Sequence, residues 1–194
     1  MNGDGIPEIG VTGRNMYAVL KADGSVLWET PIQNGNGLTG ASVFDFDGDG
    51  QAEVVFADGQ YLRVYRGHDG KVLLETPHTN QIGGPKLPVI VDVDNDNHAD
   101  IVVYANNAHL PDGQGHHGIR VFQASNNSWA NTRKIWNQHS YHITNINDDG
   151  TVPTVEQNSW EVHNIYRGQP SLGLAGTTDL TAGPLQIIDN GVGQ

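Results

Sequence analysis

The sequence predicts an all-β chain: a propeller-like array of about four four-stranded repeats with Asp-rich loops. Three observations predict it. An Asp-rich loop followed by a Val/Ile run recurs about every 50 residues. Two segments carry an Asp-Gly pair between short β-rich runs, a strong hairpin signal. No stretch holds sustained helical spacing with caps.

The loop copies come first in each repeat. They read Asn2-Gly3-Asp4-Gly5-Ile6-Pro7-Glu8, Asp45-Phe46-Asp47-Gly48-Asp49-Gly50-Gln51-Ala52-Glu53, and Asp92-Val93-Asp94-Asn95-Asp96-Asn97-His98-Ala99-Asp100. A fourth, weaker copy is Asn145-Ile146-Asn147-Asp148-Asp149-Gly150-Thr151-Val152-Pro153. The hairpins follow. The segment 17–31 matches 62–77, with turns at Asp23-Gly24 and Asp69-Gly70. Loop, strand, turn, strand, hairpin and strand give about four strands per 45 to 50 residues, the content of one propeller blade.

These loops and the Val/Ile runs behind them resemble the FG-GAP and VCBS-type repeats of secreted and surface β-propellers. The resemblance covers residues 1–168 and implies an extracellular adhesion or structural module stabilised by calcium. Some polysaccharide lyases use related propellers, so a carbohydrate-binding or carbohydrate-cleaving propeller is the alternative.

Calcium takes six to eight oxygens, and a tight loop offers them at positions 1, 3, 5, 7 and 9. In the second copy these are Asp45, Asp47, Asp49, the Gln51 carbonyl and Glu53. In the third they are Asp92, Asp94, Asp96, the His98 carbonyl and Asp100. Position 6 turns sharply, which suits Gly50 and, next best, Asn97. An EF-hand is excluded. It needs Glu at position 12 between helices, whereas position 12 is Phe56 or Val103 within strand-like runs. Four carboxylates in nine residues repel one another unless a cation joins them. The outer copies offer less. The first keeps Asn2, Asp4 and Glu8 and begins at position 2. The fourth has Asn145, Asn147, Asp149 and the Thr151 carbonyl, with Pro153 where the acid belongs.

The chain has 194 residues, 22 acidic against 10 basic, and a net charge of −12. That excludes nucleic acid as a partner. Half of the acids stand at the loop positions above, so the charge reads as a metal-site signature. No apolar run approaches the roughly 18 residues of a membrane span. With no cysteine, disulfides, Cys-ligated zinc and Cys nucleophiles drop out.

Two other groupings invite a functional reading. The segment 128–142 mixes aromatics, amides and cations, and Arg133, Trp136, His139 and Tyr141 are its candidate glycan contacts; a half-buried structural segment is the competing reading. His109, His116 and His117 share an insertion that reads as a solvated loop. No catalytic motif is present, so no enzyme activity is expected. Lys86 or Arg133 would be the base if there were one.

After Gly168 the character changes. Residues 169–194 read as a linker and a strand around Leu185–Ile188, either the first strand of an Ig-like domain or a strand exchanged with a neighbour. The expected partners are calcium, a protein or glycan at the cell surface, and further copies joined into an oligomer or filament through the chain ends.

Overall fold

The computed structural model describes residues 1–33, 37–80, 87–108, 110–111, 114–161, 163, 165–172 and 186–187. Among them the only regular structure besides β-strands is one 3₁₀ turn, Ser159–Glu161. The strands are β1 (Ile9–Thr12), β2 (Met16–Leu20), β3 (Val26–Pro31), β4 (Ala41–Phe44), β5 (Glu53–Ala57) and β6 (Tyr61–Tyr65). They continue with β7 (Val72–Pro77), β8 (Val89–Val91), β9 (Asp100–Ala105), β10 (Gly118–Gln123) and β11 (Gln186–Ile187). They form three antiparallel sheets, in the orders β1-β2-β3, β4-β5-β6-β7 and β8-β9-β10-β11.

Both Asp-Gly hairpins form where the sequence places them. Gly24 and Gly70 adopt φ values of 82° and 71°, a region open to glycine at no steric cost. In each hairpin the Asp carboxylate accepts the amide two residues on: Asp23 from Ser25, Asp69 from Lys71. Gly70 has a second reason to be glycine. A Cβ there would meet the Trp28 ring at 2.6 Å. Trp28 in turn donates its indole N–H to the Gly67 carbonyl at 2.7 Å, tying the first sheet to the second.

The sheets stack face to face with the second in the middle. Successive side chains of a strand point to opposite faces, and β5 uses both. Val54 and Phe56 join Tyr17, Val19, Trp28 and Tyr65 in a core against the first sheet. Val55 and Ala57 join Leu62, Ile90, Ile101 and Phe122 in a core against the third. All five β5 residues are therefore buried. That explains a continuous Val-Val-Phe run where a one-sided strand would alternate.

The expected architecture is met in part. Among the described residues the sheets make an open stack with no closed ring. The first sheet has three strands. The fourth loop copy is not followed by a strand: residues 151–158 carry no regular structure. Pro153 lacks the N–H that a ladder needs. The expectation that the strand near Leu185–Ile188 has no partner in the chain is also corrected. Gln186–Ile187 pairs antiparallel with Phe122–Gln123 of β10 and becomes the outermost strand of the third sheet. Packing runs past Gly168: buried Gln169 accepts the Tyr141 hydroxyl and donates to the Ile135 carbonyl, and the Leu172 amide reaches the Asn131 carbonyl.

Candidate metal centre

Two loops hold the candidate centres. The loop from Asp45 to Ala52 joins β4 to β5, and the loop from Asp92 to Ala99 joins β8 to β9. The flanking registers are equivalent: Phe44 faces Glu53, and Val91 faces Asp100. That register brings position 9 back beside position 1.

Each loop is wound by the same hydrogen bonds. The position-1 carboxylate accepts the amide of position 6: Gly50 to Asp45 at 3.1 Å, Asn97 to Asp92 at 2.9 Å. Position 3 accepts from position 5: Asp49 to Asp47, Asp96 to Asp94, both at 3.2 Å. Position 5 accepts from position 7: Gln51 to Asp49 at 2.7 Å, His98 to Asp96 at 2.8 Å. The position-9 carboxylate accepts the position-2 amide: Phe46 to Glu53 and Val93 to Asp100, both at 2.9 Å. Positions 4 and 6 need positive φ, met by Gly48 and Gly50 at 69° and 87°, and by Asn95 and Asn97 at 72° and 75°. Asn is the usual non-glycine occupant of that region.

The result is convergent negative charge. Carboxylate oxygens of Asp45, Asp47 and Asp49 lie within 4.8 Å of one another, as do those of Asp92, Asp94 and Asp100. Burial pushes Glu53 up to about 8, with Asp47, Asp45 and Asp49 adding to it. Asp100 is pushed up to about 6 for the same two reasons, and Asp47 is raised as well. Asp58 shows the contrast. It is equally buried, but its oxygens accept the amides of Gln33, Gln60 and Tyr61 and pair with Arg63 at 2.9 Å. Glu53 receives the one Phe46 amide among the described residues. Its remaining acceptor capacity faces three carboxylates. Hard oxygen donors gathered with at most one lysine beside them, Lys134 at Asp92, suit an oxygen-seeking divalent cation.

The outer copies fold alike but stay open. In the first, Asn2 accepts the Asp4 amide and Asp4 the Ile6 amide, matching positions 3 and 5. The Met1 amino group lies 3.3 Å from Glu8, where Phe46 and Val93 place their amides on position 9. In the fourth, Asp149 accepts the Thr151 amide and hydroxyl, and Asn147 donates to the Thr151 hydroxyl, while Asn145 donates outside the loop to the Ser140 carbonyl. Asp4 and Asp149 are held below the usual carboxylate range, Asp4 chiefly by the Ile6 amide and Asp149 by the Thr151 hydroxyl.

The structural reading of the segment 128–142 is the one its contacts support, although nothing in its sequence signals that it wraps these loops. The Ala130 amide donates to Phe46 of one loop, and the Ala130 carbonyl accepts from Ala99 of the other. Thr132 donates to the Asn97 carbonyl, and the Arg133 carbonyl accepts the Asp92 amide. The His98 ring bonds the Trp129 carbonyl at 2.7 Å. Lys134 reaches Asn95 at 2.5 Å and lies 3.9 Å from Asp92.

That placement corrects part of the glycan reading. Arg133 is buried and committed: its guanidinium reaches Asp148, the Tyr141 hydroxyl and the carbonyls of Ile143 and Ile146. Tyr141 is fully buried. Both side chains are taken up by partners within the fold. Trp136 stacks on Tyr141, with the Arg167 guanidinium over its ring. His139 is exposed. His116 is held to Thr79; His109 and Lys86 lie outside the described residues.

Repeated acidic loops, two of them feeding the buried strands β5 and β9, define a repeat protein. A family model for the FG-GAP-like repeat matches residues 1–56 and 45–103, and the chain belongs to that family. Among solved structures it is similar to the V. cholerae biofilm matrix protein Bap1, at 29% identity and a TM-score of 0.75. The match covers 84% of this chain and 27% of the Bap1 chain. No curated protein matches the sequence. Among the described residues no helix is long and apolar enough to cross a membrane.

Proposed function

We propose that this chain is part of an extracellular, calcium-stabilised adhesion or structural module, of the kind that builds a surface matrix. One observation carries the reading: two loops in different sheets share one hydrogen-bond pattern that gathers carboxylates around a point and buries the fourth acid behind them. Calcium is the cation expected, through Asp45, Asp47, Asp49, the Gln51 carbonyl and Glu53, and through Asp92, Asp94, Asp96, the His98 carbonyl and Asp100. Extracellular sites of this type fill at about 10⁻⁴–10⁻³ M calcium. Membership of the FG-GAP-like family and the likeness to a biofilm matrix protein support the location and the structural role. The loops join strands within sheets, so the ion acts on folding rather than on chemistry. A propeller completed beyond these three sheets and a protein or glycan ligand at the cell surface belong to the same proposal.

The test is calorimetry on the 194-residue chain. At calcium about 100-fold above Kd, mass action contributes about 2.7 kcal/mol per site. Chelation should therefore lower Tm by on the order of 5–10 °C. Asp47→Ala and Asp94→Ala should each remove one binding event. An unchanged melting curve in excess EDTA refutes the proposal.

A further inference from the structure

In a chain with 22 acidic residues against 10 basic, Arg167 pairs with no carboxylate among the described residues. Arg63, Arg66 and Arg133 each do. Burial holds the Arg167 guanidinium below its usual range, and the group that opposes this is the Tyr166 phenol, not an acid. The backbone is unusual as well. Among the described residues, four other than glycine have positive φ: Asn95, Asn97, Asn127 and Arg167, the last at 55°. Asn is the usual occupant of that region. A long side chain persists there only where its surroundings over-determine it, and such positions cluster at ligand clamps.

What is held in place is the guanidinium. Its Nε donates to the His139 carbonyl at 2.9 Å, and Nη1 reaches the Ser42 hydroxyl at 3.3 Å. Its central carbon lies 5.1 Å from the centre of the Trp136 ring. A guanidinium has five N–H donors, so those left on the Nη pair still offer the fork that a carboxylate accepts with both oxygens. Tyr166, the residue before it, is 67% exposed. One face of its ring stacks on His142 at 5.6 Å, and the other is open.

We propose that Arg167 and Tyr166 form a subsite for a sugar that carries a carboxylate, a hexuronate. The carboxylate takes the fork of Arg167, and the sugar ring lies on the open face of Tyr166. A net charge of −12 repels anions at long range, so recognition rests on these contacts and not on steering. The inference names a ligand class for the surface-ligand part of the proposed function and rests on that part; it does not need the calcium sites.

The probe is sodium glucuronate, titrated into the isotope-labelled 194-residue chain in calcium at constant ionic strength, with the Arg167 Nε–H and Trp136 indole resonances followed by NMR. Glucose supplies the ring without the carboxylate, and glutarate a carboxylate without the ring. Glucuronate should bind with a Kd on the order of 1–10 mM, and the other two at least about fivefold more weakly. Arg167→Gly suits the backbone at that φ. It should fold with Tm unchanged or raised and lose at least about tenfold in glucuronate affinity. Tyr166→Ala, at an exposed position, should weaken glucuronate by about threefold or more and leave glutarate unchanged; it serves equally if Arg167→Gly does not fold. Glucuronate bridged through loop calcium would survive Arg167→Gly, so binding that survives it overturns the proposal. So do the absence of binding, an affinity that Tyr166→Ala leaves unmoved, and glucose bound as tightly as glucuronate. Glutarate bound as tightly also overturns it and points to an acidic peptide. A glycan array probed with the same chain reports separately on the surface-ligand reading: neutral glycans bound without uronates keep that reading and overturn this one.

Discussion

The inner and outer loops share a winding and differ in what happens to their charge. At 45–53 and 92–100, register and burial force four carboxylates together, and the deepest of them is pushed well above its usual range. In the outer copies, the exposed Asp4 and Asp149 are satisfied by amides and hydroxyls of their own loops and are held below it. Local turn chemistry is therefore common to all four copies. The crowding of carboxylates, which a proton or a bound cation relieves, belongs to the two copies closed by the pairing of β4 with β5 and of β8 with β9.

The sharpest way to break that comparison is Glu53→Gln, which keeps shape and removes a buried acid that the metal-free fold holds largely protonated at pH 7. Without metal the variant should be more stable than the parent by about 1–3 kcal/mol at pH 7. In calcium it should be less stable, because a charged ligand is gone. Melting curves in EDTA and in calcium should cross, and parallel shifts would show that Glu53 does not face an ion. A smaller effect should separate the two inner loops. Lys134 stands beside Asp92 and partly neutralises the third-sheet site, and nothing comparable stands at the second among the described residues. Lys134 is about half exposed, so solvent screens the pair. Lys134→Met should tighten calcium at 92–100 by about two- to fivefold and leave 45–53 unchanged, as read by calorimetry in an Asp47→Ala and an Asp94→Ala background. The smallest effect is expected at the outer loops. Asp4→Asn and Asp149→Asn should move Tm in calcium by no more than about 1–2 °C. A loss comparable to Asp47→Ala would place an ion there too.

Much of this was legible because it is local. Alternating Asp with Gly or Asn fixes a loop within nine residues, and Asp-Gly between β-rich runs fixes a hairpin. What escaped is what distance decides. The segment 128–142 offers glycan contacts or a half-buried structural segment by its residues alone, and which loops it ties is not legible: its backbone is spent on Phe46, Asn97 and Ala99, and its arginine is a buried tie. Gln186–Ile187 reads as a strand without a sheet because its partner, β10, lies some sixty residues upstream. The fourth copy keeps the turn but is followed by Pro153 and a polar run. Loop chemistry survives there without the strand that would gather it into a site.

The wrapping segment also makes the two inner loops a single mechanical element. A pull on the chain between Ser128 and Lys134 is delivered first to the Ala130 bond with Phe46 and to its bonds with Asp92, Asn97 and Ala99. Only then does it reach a sheet. Neighbouring parts that open together behave as one cooperative unit, so tension along this stretch loads both loops at once. Under the proposed calcium reading, ion occupancy would set how stiff that joint is: tight where calcium is abundant, slack where it is withdrawn.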